Sequence, residues 1–218
     1  APTIEQQKVL QGLYQEFIDA VRATGGNNHW RVLTVASWAA NPHFALKFFR
    51  KPFDIVPDRL MLEVHYYQPW WFCAQTNGEE GPLKNQYFWG KPYEGQPCWS
   101  DTQAEVKRLF AQLKSEFIDK GIPVILGEMG AVHHNPTKEN AKWNIDFKKC
   151  EESRAYYMRY IIREAKNSGF SSFYWDNNYY GGDEENFAIF DRFNNMRVHD
   201  QSALDAIMLG AAEGVFPF

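Results

Sequence analysis

Apolar residues at Leu10, Leu13, Tyr14, Phe17 and Val21 recur at i, i+3, i+4, i+7 and i+11, the spacing of one helical stripe. Thr3 followed by Gln6 supplies a capping box for the start of this helix, and Gly25-Gly26 supplies its stop. The period then changes. Trp30-Arg31-Val32-Leu33-Thr34-Val35-Ala36 is short, β-branched and bounded by turn formers, and it reads as a buried strand. A second strand is expected from Arg59 to His65. Beyond an aromatic insertion from about Gln68 to Trp99, the helical stripe returns at Val106, Leu109, Phe110, Leu113 and Phe117 and stops at Gly121. Pro123-Val124-Ile125-Leu126 predicts a third strand, and a helix from about Cys150 to Asn167 ends at Gly169. Ser171-Ser172-Phe173-Tyr174-Trp175 predicts the fourth strand, and a last helix spans about Ser202 to Ala211.

Strands alternating with amphipathic helices imply βα units and a parallel sheet, so the expected fold class is α/β. The unbroken apolar run Val124-Ile125-Leu126 suits a strand covered on both faces. A closed α/β barrel uses eight strands in about 250 residues. Four strands therefore predict half of one, with residues 1–218 forming the second half of a single barrel domain. An open half-barrel leaves unpaired edges and an uncovered apolar face, so a separate piece is expected to dock against it.

Composition narrows the partners. The chain is 44% hydrophobic and 23% charged, as a soluble globular protein requires. Its net charge is −4 and no run of Lys or Arg forms a patch, so neither nucleic acid nor a membrane surface is an expected partner. No segment approaches the roughly 18 apolar residues of a membrane span. Ala1-Pro2-Thr3 lacks the basic and apolar regions of a leader, although a mature secreted protein would have lost one. Cys73 and Cys98 could close a loop in an exported protein, with Cys150 left odd, or all three could be free thiols. The surplus is aromatic: 8 Trp, 11 Tyr and 17 Phe make 17% of the chain. Trp and Tyr tend to sit where one edge stays wet. Sugar rings present apolar C–H faces to such surfaces, which favours a carbohydrate ligand.

In an α/β barrel the active site is built at the C-terminal ends of the strands. The second predicted strand ends in His65-Tyr66-Tyr67, the third in Gly127-Glu128-Met129-Gly130 and the fourth in Trp175-Asp176-Asn177-Asn178. Glu128 follows an apolar run and is flanked by glycines, and a carboxylate there is costly to bury unless it is paired or used. His133-His134 has no third ligand at metal spacing, so neither a metal nor a cofactor is expected.

Three segments carry a specific resemblance. Leu62-Glu63-Val64-His65-Tyr66-Tyr67-Gln68-Pro69-Trp70, Pro123-Val124-Ile125-Leu126-Gly127-Glu128-Met129-Gly130-Ala131 and Phe173-Tyr174-Trp175-Asp176-Asn177 resemble strands six, seven and eight of glycoside hydrolase family five. The segment from Gln6 to Asn28 is similar to that family's fourth helix, and Trp38-Ala39-Ala40-Asn41-Pro42 to its fifth strand end. The resemblance implies a retaining endo-β-1,4-glucanase of the cellulase type, acting on β-glucan. It makes Glu128 the nucleophile, Tyr67 a hydrogen-bond partner that orients it, and His65 a member of the catalytic shell. Trp175 would be the floor beneath the sugar ahead of the scissile bond. Trp38, Asn41, Trp70, Trp71 and Tyr179 would line further substrate contacts, with Trp89, Trp99 and Tyr180 as additional aromatic candidates. Xyloglucan, mixed-linkage glucan and mannan remain open as related substrates. A secreted, periplasmic or cell-surface location is expected.

One part of the family pattern is missing. Retaining hydrolysis needs a second carboxyl about 5 Å from the nucleophile. In this family it is the Glu of an Asn-Glu-Pro motif after the fourth strand, and no Asn-Glu-Pro occurs here. Asp176, Asp183, Glu184, Glu185 and Glu79-Glu80 read as solvated loop charges rather than substitutes. The acid/base is thus expected from the N-terminal half of the same enzyme. The alternative is a carbohydrate-binding half-barrel without catalysis.

Overall fold

The computed structural model describes residues 1–74, 86–137, 140–181 and 185–218. Helix α1 (Ile4–Ala23) begins at the expected capping box, with Gln6 N donating to Thr3 Oγ1 at 3.2 Å and Thr3 N to Gln6 Oε1 at 2.8 Å. The buried face of α1 is only partly the predicted stripe: Tyr14 and Val21 pack against the core, but the fully buried positions are others. Gln7, Ile18 and Arg22 point inward, while Val9, Leu13 and Phe17 stay exposed. Arg22 is held there by a bidentate pair with Asp54 (Nε to Oδ1 2.9 Å, Nη2 to Oδ2 2.6 Å) and by donation to the carbonyls of Asn28 and Arg31. Those bonds satisfy a charge that would otherwise be prohibitive to bury.

The remaining elements follow in order: β1 (Leu33–Ala36), α2 (Pro42–Phe48), β2 (Leu60–Tyr66) and α3 (Trp70–Cys73). Next come β3 (Phe88–Trp89), β4 (Trp99–Ser100), α4 (Gln103–Glu116), β5 (Val124–Met129) and α5 (Phe147–Asn167). The chain closes with β6 (Ser171–Tyr174), a hairpin of β7 (Phe190–Asp191) and β8 (Arg197–Val198), and α6 (Gln201–Glu213). The four predicted strands form one parallel sheet in the order β1-β2-β5-β6. Helix α2, the β3/β4 pair inside the aromatic insertion and the β7/β8 hairpin were not expected from the periodicity.

One sheet face is closed. Leu62, Val64 and Tyr66 of β2 and Leu126 and Met129 of β5 pack with Val106, Phe110 and Leu113 of α4 and Tyr157, Met158 and Ile161 of α5. The other face is open. Along β2 buried residues alternate with half-exposed Met61, Glu63 and His65, and on β6 Ser171 and Phe173 are exposed. Alternate residues of a strand point to opposite faces, so these belong to the second face of the sheet.

Arg154 of α5 ties the site-bearing segments together. Its Nε donates to Ala131 O at 2.7 Å, its Nη2 to Tyr174 Oη at 3.2 Å, and its Nη1 pairs with Asp200 and lies 3.4 Å from Glu151 Oε2. The loop after β5, the end of β6 and the N-cap of α6 thus converge on one buried cation. The cysteines are all free, so the Cys73–Cys98 closure does not form; Cys73 and Cys150 are buried. No helix among the described residues is long and apolar enough to cross a membrane.

Candidate active site

The sheet places Glu128 through a bulge. Val64 pairs with Leu126 and the next residue, His65, pairs with Glu128, so Gly127 is the extra residue on β5. The pairing with β6 shows the same excess, from Leu126↔Ser172 to Met129↔Tyr174. A one-residue shift turns every later side chain to the other face. Glu128 therefore shares the open face with His65 instead of facing the helices.

Two groups meet its carboxylate. Tyr67 Oη donates to Glu128 Oε2 at 3.1 Å, and His65 Nδ1 lies 3.3 Å from the same oxygen. Burial, then the adjacent Glu128 charge and the hydrogen bond to it, push the Tyr67 hydroxyl well above the ordinary tyrosine range. It stays protonated and donates to the carboxylate. The Tyr67 ring is fixed edge-on against Phe187, centroids 6.0 Å apart. On the far side of the imidazole, His65 Nε2 lies 2.9 Å from Glu63 Oε1. Glu63 was not among the expected site residues. Its signal was present: residues i and i+2 of a strand share a face, and Glu63 stands two before His65.

Trp175 leaves β6 beside β5, the strand that carries Glu128, its backbone N–H donating to Met129 O at 2.9 Å, and its side chain is exposed. Asp176 is fully engaged in building the following loop. Its Oδ2 accepts from Ile189 N and Phe190 N, its Oδ1 accepts from Asn178 N, and Arg192 pairs with it at 3.2 Å. That hairpin anchoring accounts for the carboxylate without a catalytic role. Asp183, Glu184, Glu79 and Glu80 lie outside the described residues.

The other expected contacts are scattered more widely. Trp38 follows β1 and borders a shallow apolar cleft with Val9, Leu10 and Leu13 of α1. Asn41 caps α2, its Oδ1 accepting from His43 N at 2.9 Å and Phe44 N at 3.3 Å. Trp70 is exposed on α3, with Trp71 half-buried beside it, and Tyr179 is exposed in the loop after β6. Trp89 is wholly buried against Tyr157 and Tyr160, and Trp99 donates to Gly90 O at 2.7 Å; both pack the insertion. His134 is buried on Tyr87, and burial lowers it to about 4. His133 Nδ1 lies 3.0 Å from Glu151 Oε2, and together with Asp200 these could approach a metal ion. The Arg154 guanidinium already supplies positive charge to both carboxylates.

Residues 2–181 match the model of the cellulase family, glycosyl hydrolase family 5. A xyloglucan-specific endo-β-1,4-glucanase of Bacteroides ovatus is 32% identical over 210 residues, 96% of this chain and 38% of that protein. Endoglucanase A of Paenibacillus barcinonensis is 33% identical over 214 residues, 92% of this chain and 49% of that protein. The solved structure of a Bacteroides ovatus family 5 xyloglucanase in complex with a heptasaccharide superposes with a TM-score of 0.83 at 30% identity, over 97% of this chain and 42% of that one. A xyloglucan-specific β-1,4-glucanase from a ruminal metagenome superposes at 0.80 with 29% identity, over 98% and 54%. The chain thus spans about half or less of the length of these curated relatives, and the shared architecture is an α/β fold of the (β/α)8-barrel type. With a match across most of its length, this chain belongs to the cellulase family, glycosyl hydrolase family 5.

Proposed function

We propose that this chain supplies the nucleophile half of a retaining endo-β-1,4-glucanase, with Glu128 as the nucleophile. The observation that carries the reading is the convergence of Tyr67 Oη and His65 Nδ1 on Glu128 Oε2 at the C-terminal end of a parallel strand. An ionised carboxylate held by donors on one oxygen can present the other to an anomeric carbon. Attack there expels the leaving sugar oxygen and forms a glycosyl ester on Glu128, which water then hydrolyses with retention. The leaving oxygen needs a proton from a second carboxyl on the other side of the bond. Glu63 does not fit that role, because the His65 ring stands between it and Glu128.

The acid/base is accordingly a Glu of the N-terminal half of the same enzyme, and residues 1–218 are the C-terminal half, about strands five to eight, of one barrel. The open sheet face and the relatives' length, of which this chain spans 38% and 49%, support this division. Trp175 is the sugar platform beside the nucleophile, and Trp38, Asn41, Trp70, Trp71 and Tyr179 are candidates for more distant subsites. The substrate is a β-1,4-glucan; xyloglucan is the form named for two of the relatives. A polysaccharide does not cross a membrane, so the reading carries an extracytoplasmic location with it.

A 2-deoxy-2-fluoro-glucoside with a good leaving group tests the assignment, because it traps the covalent ester. In the assembled enzyme the label is expected on Glu128 by peptide mass spectrometry. Glu128→Gln should abolish labelling and lower turnover by several orders of magnitude, since no other carboxylate takes over the covalent step. Activity retained within about tenfold would refute the role.

A further inference from the structure

We propose that Glu63 is a positioning residue for Glu128, acting through His65, and that Gly127 exists to admit it. The kinetic consequence rests on the glycosidase reading; the geometry does not. Glu63 and His65 share the open face of β2, and Glu63 Oε1 meets His65 Nε2 at 2.9 Å while Glu128 Oε2 meets Nδ1 at 3.3 Å. The imidazole is hydrogen-bonded to one carboxylate at Nε2 and stands within ion-pair distance of a second at Nδ1, the two coming from neighbouring strands.

Gly127 makes the grip possible. A β-carbon at 127 would stand 2.3 Å from Glu63 Oε1 and 2.7 Å from its Cδ and Cγ. Any other residue there would displace the Glu63 side chain from the ring. The Gly127 backbone is not among those in the left-handed region, so conformation does not ask for glycine. Space does. The same residue is the bulge that brings Glu128 opposite His65, so one glycine serves both ends of the chain of contacts.

A carboxylate on one side of the ring orients the other. Glu63 meets Nε2 at 2.9 Å, which turns Nδ1 toward Glu128 Oε2 at 3.3 Å, the oxygen that Tyr67 also meets. Without Glu63 the ring loses that hold and can turn away from Glu128.

The test is structural and kinetic. In crystals of the assembly in which this chain purifies, Glu63→Ala and Gly127→Ala are each expected to move the His65 ring so that Nδ1 no longer stands beside Glu128 Oε2. Gly127→Ala removes no polar group, so agreement between the variants excludes a mere loss of charge, and either alone suffices if the other fails to fold. A His65 ring unmoved in a folded variant overturns the proposal. In the active enzyme Glu63→Ala should lower kcat by about 10²-fold with KM within about threefold, the pattern of lost alignment. A kcat within threefold also overturns it. If Glu128→Gln retained activity, the glycosidase reading would fall while the position of the ring still decided the role of Glu63.

Discussion

His134 shows how burial alone can set a pH response. Its ring is buried on Tyr87, its Nε2 has no hydrogen-bond partner, and burial lowers it to about 4 from an ordinary 6.5. In the unfolded chain it binds a proton below about 6.5, while in the folded chain it resists until about 4. The unfolded state therefore takes up more protons across that window, and stability falls as pH drops from 6.5 to 4, by up to about 3 kcal/mol. Below 4 the loss is complete. Melting curves of wild type and His134→Gln should differ by an amount that changes through this window. A difference flat between pH 4 and 7 would contradict the assignment. Nothing in the dipeptide His133-His134 distinguishes the two residues: one pairs with Glu151 at the surface and the other is sealed in. The strand-end placement of Glu128 was legible because it follows an apolar run, whereas His65 and Tyr67 were singled out through the family resemblance. Glu63 was passed over because it sits inside such a run, where a carboxylate reads as an ordinary alternating position.

At the scale of elements, the geometry of the site depends on the hold that α5 keeps on its neighbours through Arg154. Replacing it by Met keeps the helix and most of the volume. It leaves Asp200 and Glu151 without their buried cation and Ala131 O without a donor. Breaking a buried pair on one side typically costs about 3–5 kcal/mol, and urea denaturation of Arg154→Met should show a loss of that order. A loss under about 1 kcal/mol would mean that the ion pairs are decorative. The long helices and the parallel strands were legible because their periods run for many residues. The side of α1 that turns inward was not. Its apolar stripe marked a helix, but Arg22 and Gln7 occupy the buried face because Asp54 and nearby carbonyls satisfy Arg22. Helix α2 has seven residues and β7 and β8 two each, too short for any period to show. The bulge at Gly127 is a relation between strands, and only the register with β2 and β6 reveals it.

At the scale of the whole molecule, part of the exposed apolar surface gathers on α1 and on the open sheet face. Val9, Leu13 and Phe17 lie on α1, Trp38 faces the same helix, and Phe173 lies on the open face of the sheet, whose outer strands are β1 and β6. Unpaired edges and apolar surface of this kind drive pairing with another chain. The chain by itself should therefore self-associate, which size-exclusion chromatography with light scattering would report as dimers or larger species. If the acid/base belongs to the other half, as proposed, the chain alone should also fail to release reducing sugar from a soluble β-glucan, because the leaving oxygen then departs unprotonated, a deficit of about 10² to 10⁴ in rate. Adding a polypeptide with the remaining strands of a family 5 barrel should change both results together. The edges pair, a one-to-one species replaces the aggregates, and hydrolysis appears with it. A monodisperse monomer with strong glucanase activity would refute the division, and would require an acid within these 218 residues. Recovery of one property without the other would separate packing from chemistry. A soluble but inactive complex would place the fault in the added carboxylate, and since Tyr67, His65 and Glu128 all lie within this chain, restoring that one group should then restore turnover.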